Sequence, residues 1–360
     1  MKRTVLFKSL FILFIIPAIA LGTNGEWKGK YTKEKTIKKE FSVNKDALLK
    51  VDNSYGNITI VTYNGSTTSI EVVIKVNGNN EDKVMDKLND IDVQFDASSS
   101  IVSAKTVFGK EKSWWNSGKN NVSMEINYRI SLPITNSVDL NNDYGSIDLE
   151  RLEGRAVINC DYGKITTKEL MAESNVLKFD YTSSSYFGYI NSAKINADYS
   201  SYTIAKAKNL EISADYTKSE IENAENVTYN CDYGSLKIDN VNNLMGNGDY
   251  LTTRIGNVYG NVQIKADYGS IDIGKLAKDA GNVSIDSDYI GIDIGYDAGF
   301  SFSFDVNLSY ANLKGDTDFD FNKKSVESSS KKYTGTYGSK NSGNLISIKS
   351  NYGSVNFQKK

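Results

Sequence analysis

Nine aspartates, each followed by a tyrosine, are the only ionisable groups that recur in register: Asp143, Asp161, Asp180, Asp198, Asp215, Asp232, Asp249, Asp267 and Asp288. Carboxylates in rows allow three roles. Unequal pairs can serve as acid and base on a glycosidic bond. Closely spaced ones can share a hard cation such as calcium, which relieves their repulsion. An Asx side chain can also accept a backbone N–H at a turn and support it without any ligand. Catalysis needs a few carboxylates in distinct surroundings, whereas these nine share one context, and the Gly-Gly-x-Gly-x-Asp calcium-roll pattern is absent. The chain has no histidine, which removes Ser-His, Cys-His and histidine-metal sites together. Turn support is the expectation for the aspartates. The sequence assigns no catalytic, cofactor-binding or metal-ligating residue and implies no cofactor.

The elements that would carry this row follow from its spacing. Steps between the tyrosines, from Tyr144 to Tyr289, are 18, 19, 18, 17, 17, 17, 18 and 21 residues. Before each tyrosine apolar residues alternate, as in Val262, Ile264 and Ala266 before Tyr268, which is the period of a strand with one buried face. After it they fall three and five places on, at Ile271 and Ile273, so the phase shifts at a Gly-Ser step such as Gly269-Ser270. Glycine there is expected to supply the backbone angles of a corner. Each unit then reads as a strand, a corner, a second short strand and a variable polar connection such as Asp239-Asn240. One unit cannot close a core, so the units must stack. The fold expected is all-β, a single-stranded β-helix or β-solenoid with turns of about 17–21 residues and an irregular N-terminal cap. Tyrosine would lie over tyrosine at about 4.8 Å as a structural spine inside the coil. An antiparallel sandwich or barrel would vary its hairpin lengths more. An outer-membrane barrel needs longer strands with a lipid-facing row.

In chain order, residues 1–20 form a signal peptide: Lys2, Arg3 and Lys8, an apolar run, and Ala18-Ile19-Ala20 before the cleavage point. Its removal takes three cations from a formal charge of −2, leaving −5. No later run is long enough for a spanning helix. Residues 21–40 are a basic leader, read as solvated and partly disordered. Residues 41–137 are a β-rich cap region, with a short helix over 80–90 and strands at 70–76, 91–95, 101–108 and 122–130. Residues 109–121 form a polar loop carrying Trp114-Trp115, read as a sugar or protein contact or as a lid on the solenoid end. Residues 138–357 are the solenoid repeats, with a mobile polar loop at 322–342 and a closing turn around Tyr352. Cys160 and Cys231 stand four turns apart, roughly 19 Å at the strand spacing, too far for a disulfide. Net acidity, a secretory leader and the lack of a repeated basic row argue against nucleic acid.

The Asp-Tyr-Gly-Ser-Ile units, the run Val51-Asp52-Asn53-Ser54-Tyr55-Gly56-Asn57-Ile58 and the signal peptide together resemble a bacterial family of exported domains of unknown function, labelled putative adhesins and common in Bacteroidetes. The resemblance covers about residues 41–357. It implies a β-helix or β-solenoid at the periplasm, outer membrane or cell surface, with a binding or structural role toward an envelope or matrix protein or a glycan. The alternative is a polysaccharide-acting β-helix enzyme, which would need a groove with an acidic set unlike its neighbours.

Overall fold

The structure is a computed structural model that describes residues 27–109, 122–315, 317–340 and 342–360, and the backbone of 12–14. The signal peptide's cleavage point and Trp114-Trp115 lie outside the described residues. The chain divides into two compact units, Met1–Asn175 and Val176–Lys360. Each is a β-solenoid.

In the first unit three turns stack in parallel. Leu48–Ser54 with Ile58–Tyr63, Ser137–Asp143 with Ser146–Leu149, and Ala156–Asp161 with Lys164–Leu170 each run in, bend at a tyrosine and run on. Register places aliphatic over aliphatic: Leu49 beside Val138, Val51 beside Leu140, Ile58 beside Ile147, and Ile147 beside Ile165. On the other side of the first turn lie Ile101–Phe108 and Val122–Pro133, both parallel to it. Val122–Pro133 then pairs antiparallel with Thr67–Gly78, which pairs with Tyr31–Ser42. The lysine-rich stretch expected to be solvated is therefore, from Tyr31 on, a strand of a sheet, with Thr67–Gly78 on one side and the short Ile12–Phe14 beside Thr36–Lys38 on the other. Its lysines sit opposite acidic partners, as in Lys33–Glu81 and Lys38–Glu71, while Phe41 is buried. The expected helix is Glu81–Asp90. Asn80 caps it by accepting from Lys83 N at 3.0 Å, and Val84 and Leu88 are buried.

In the second unit the turns are tighter. Ser201–Asp215, Lys218–Asp232 and Ser235–Asp249 are each continuous strands of 15 residues. In these three turns no separate connection leaves the coil, contrary to the repeat scheme read from the sequence. Between the two arms one more side chain turns inward per turn, and Ala207, Val241, Val258 and Leu276 are buried in a row in which Ala224, half-buried, holds the place between Ala207 and Val241. Buried positions in one turn run 202, 204, 207, 210, 212, 214, so period two is broken by steps of three. Those steps mark bends, and a further step of three to Thr217 crosses the tyrosine, giving three bends per turn.

Sequence order fails at the end of this unit. Val283–Tyr296 pairs with the chain's last strands, Leu345–Asn351 and Val355–Lys359, and these pair in turn with Phe302–Ser309 and Leu313–Lys314. The last repeat is thus inserted before the turn of Tyr310 and does not close the coil. The polar interval expected as a loop is mostly a hairpin, Asp320–Val326 against Ser330–Tyr337, laid antiparallel along Phe302–Ser309. Its Lys and Ser residues hid an alternation in which Tyr333 packs on Phe321, Phe321 meets Phe304 and Phe319, and Gly335 lies against Phe304.

Candidate functional site: the aspartate–tyrosine corners

Twelve tyrosines take left-handed backbone angles, with φ between 50° and 64°: Tyr55, Tyr144 and Tyr162 in the first unit and nine from Tyr181 to Tyr352 in the second. An L residue pays about 1–2 kcal/mol for that region, so glycine was the expected carrier. The structure moves the role one residue back. The bend is held by hydrogen bonds between turns: Tyr144 N donates to Asp161 O at 2.9 Å, Tyr199 N to Asp215 O at 3.0 Å and Tyr233 N to Asp249 O at 3.0 Å. Glycine is needed after the tyrosine for closeness. A Cβ on Gly145 would lie 1.8 Å from Gly56 O, and one on Gly163 would lie 1.9 Å from Gly145 O. Where the second unit has Ser200 or Thr217 instead, the hydroxyl is buried and used. Ser200 Oγ donates to Asp198 O at 2.8 Å, and Thr217 Oγ1 donates to Ala197 O at 2.8 Å.

The rings form a stacked column within each unit. In the second, neighbouring centroids from Tyr181 to Tyr289, then to Tyr352 and Tyr310, are 4.8–5.0 Å apart with planes within 6°. In the first, Tyr55–Tyr144 is 5.3 Å and Tyr144–Tyr162 is 5.0 Å. This is offset stacking, a favoured aromatic geometry. The column lies outside the coil: its rings are about half exposed, Tyr216 at 51%. A left-handed corner turns the side chain off the inner face, and the core is filled by the aliphatics on either side. Stacking covers the ring faces, so the surface presents ring edges and phenol hydroxyls.

Beside the rings run the aspartates. Asp198 N donates to Asp180 Oδ1 at 3.1 Å, Asp215 N to Asp198 Oδ1 at 3.1 Å and Asp249 N to Asp232 Oδ1 at 2.9 Å, so each of these carboxylates braces the next turn. Crowding has an electrostatic cost. Asp143 is raised above the ordinary carboxylate range by desolvation and then by Asp161 and Asp52, and Asp267 by desolvation and then by Asp249 and Asp288. Tyr199, Tyr233 and Tyr268 are likewise raised, by desolvation first and by their stacked neighbours second. A shallow depression of about 290 Å³ follows the row, lined by Asp249, Asp267, Asp286, Asp288, Lys265 and Lys349. Lys349 sits 3.4 Å from Asp286 within it. Among the described residues no three acidic, cysteine or histidine side chains are grouped to hold a metal ion.

Cys160 and Cys231 are buried free thiols at the position before an aspartate, and burial pushes both up to about 12. Two further rows escaped the sequence reading. Asn226 Nδ2 donates to Asn209 Oδ1 and Asn243 Nδ2 to Asn226 Oδ1, both at 2.9 Å, and Asn240 and Asn257 extend a second amide ladder from Asn223. Their spacing of 17 in the sequence was the available signal. No helix among the described residues is long and apolar enough to cross a membrane.

No family model and no curated protein matches the chain. Among solved structures it is similar to a putative cell adhesion protein from Clostridium sporogenes, at 11% identity over 92% of this chain and 100% of the other, with a TM-score of 0.18. It is also similar to a putative adhesin from Parabacteroides distasonis, at 12% identity over 75% and 94%, with a TM-score of 0.29. A putative lipid binding protein from the same organism gives 10% identity over 90% and 97%, with a TM-score of 0.29. Superpositions this loose carry no argument about what the present chain does.

Proposed function

We propose that this chain is a noncatalytic exported protein of the bacterial envelope or cell surface, an adhesin-like scaffold that binds through its aspartate–tyrosine corners. One observation supports this reading above the others: from Tyr181 to Tyr352 eight stacked tyrosine rings stand in register, each roughly half exposed, with no member set apart from its neighbours. A row of large exposed aromatics is characteristic of an interaction surface. Equivalence along the row speaks for contact at many points and against a reaction at one. Because neighbouring rings cover one another's faces, the row offers hydroxyls, ring edges and carboxylates in a line. That pattern suits a protein or matrix chain lying along it better than a sugar stacking on a ring face.

The test presents the mature protein to envelope fractions, matrix proteins and glycans, beside a variant carrying Tyr216→Asn, Tyr233→Asn and Tyr250→Asn. Asparagine tolerates the left-handed corner, so the coil should stand. Binding is expected to fall at least tenfold in the variant, about 1.4 kcal/mol. Failure of the wild-type protein to capture any component above background, or equal capture by both proteins, overturns the reading.

A further inference from the structure

We infer that the tyrosine column is a site of oxidative modification, in which an oxidant of the peroxidase class joins tyrosines of successive turns into dityrosine within one molecule. The inference stands apart from any binding partner. Three observations carry it. Phenol rings of consecutive turns are held parallel at 4.9 Å, as in Tyr199–Tyr216, Tyr216–Tyr233 and Tyr233–Tyr250. The rings are half exposed, so an external oxidant reaches them. Each has a like ring on both sides, so a radical formed at one position has its coupling partner already at hand, and proximity of this kind replaces a bimolecular encounter.

The step balances with hydrogen peroxide as the oxidant and a haem peroxidase as the catalyst. One electron and one proton leave each of two phenols, and the peroxide is reduced to two waters. The two phenoxyl radicals join ortho carbon to ortho carbon, forming one C–C bond. The hydrogens on those carbons pass to the oxygens as the rings regain aromaticity. Stacked neighbours 4.9 Å apart must turn about Cβ–Cγ to bring their ortho edges together, and the half-exposed rings leave room for that turn. The product is a covalent staple between turns 17 residues apart.

The sequence supplies its own controls. Tyr186 and Tyr259 are 42% and 50% exposed, as accessible as the column, yet neither belongs to it. The full mature chain is treated with peroxidase and limiting peroxide, then digested and mapped by mass spectrometry, with dityrosine fluorescence read in parallel. Expected are linked peptides joining Tyr199 to Tyr216, Tyr216 to Tyr233 and Tyr233 to Tyr250, each two hydrogens lighter than its parts. Yield per chain should stay constant on dilution. In Tyr216→Phe, which keeps the ring and loses the phenol, both links to position 216 should vanish while Tyr233–Tyr250 persists. The inference is overturned by the absence of links under conditions that couple free tyrosine. It is equally overturned by links through Tyr186 or Tyr259 as frequent as those of the column, or by a yield that falls with dilution in step with covalent dimer.

Discussion

The N-terminal end of the first unit and the C-terminal end of the second both break sequence order, in opposite ways. At the N-terminal end a later segment, Ile101–Phe108 with Val122–Pro133, is laid outside the first turn. At the C-terminal end a later segment, Leu345–Asn351 with Val355–Lys359, is inserted inside the last. The first arrangement adds to a turn that Ser137–Asp143 already supports. The second leaves Phe302–Ser309 without its parallel neighbour until the end of the chain arrives, a long-range closure of the kind that slows folding. Covering both exposed edges answers the same hazard, since an unpaired parallel edge invites another chain.

The largest expected effect comes from ending the chain after Gly343. That removes Ile346, Ile348, Val355 and Phe357, all at most 2% exposed. At about 1.5–3 kcal/mol for each buried side chain, the loss is comparable with the whole stability of a domain. Amide exchange over 302–337 should become fast while the helix Glu81–Asp90 keeps its protection. Phe357→Ala is the milder form, with an expected cost of about 3–5 kcal/mol in chemical denaturation.

Next come the corners where each displaced segment meets its neighbour. A Cβ on Gly56 would lie 2.0 Å from Ile126 O, and one on Gly353 would lie 1.8 Å from Ile290 O. Both contacts are with backbone, which cannot swing aside. Gly56→Ala and Gly353→Ala should each cost about 3 kcal/mol or more, in the range of severe single changes. Gly343, at φ +77° with nothing within 4 Å, is the control: alanine there meets only the backbone penalty of about 1–2 kcal/mol. Losses at Gly56 and Gly353 no larger than at Gly343 would mean that close approach does not fix these corners.

The ends also differ in how they finish the ring column. Phe108 stands edge-on to Tyr55 at 6.3 Å and 82°, whereas Tyr310, 65% exposed, stacks on Tyr352. Phe108→Ala should cost about 1 kcal/mol by the usual worth of an aromatic pair. Tyr310→Asn should cost less, because Tyr310 is the more exposed of the two and asparagine tolerates its left-handed φ of 52° better than tyrosine does. Thermal melts of the two variants decide the ranking.

What could be read in advance tracks what repeats. Alternation gave the strands, because burying one face of a strand imposes period two, the 17- to 18-residue step gave the stacked tyrosines, and Val84 and Leu88 at a spacing of four gave the helix at 80–90. The left-handed angle could not be placed on the tyrosine, since a neighbouring glycine is the cheaper carrier and the deciding fact is a carbonyl of the adjacent turn. Displacement at the ends was illegible for a deeper reason. Repeats with one register fit any neighbour equally well, so alternation around Tyr352 and Tyr310 is satisfied in either spatial order. The hairpin at 320–337 was obscured by outward Lys and Ser on strands whose inward set is short.

The smallest effect concerns charge, and it separates the middle of each row from its end. Inside the rows Asp143 and Asp267 have raised carboxyls. At the ends the aspartate is replaced: Ser54 precedes Tyr55, Ser309 precedes Tyr310, and Asn351, before Tyr352, donates to Asp288 Oδ1. A carboxyl whose folded value is raised contributes its full share below the unfolded value, near pH 4, and loses it as pH rises through the folded value. Asp143→Asn and Asp267→Asn should therefore stabilise the protein at pH 7, with solvent screening holding the gain to about 0.5 kcal/mol, and should change nothing at pH 3. Asn351→Asp should do the reverse at pH 7, because it swaps a donor for a like charge beside Asp288. The raised phenols set the other limit: stability should fall above about pH 10, where Tyr199, Tyr233 and Tyr268 resist ionisation folded and release protons unfolded. If Asn351→Asp proves neutral at pH 7 while Asp267→Asn stabilises, repulsion is confined to the interior of the row, and the uncharged ends serve the caps alone.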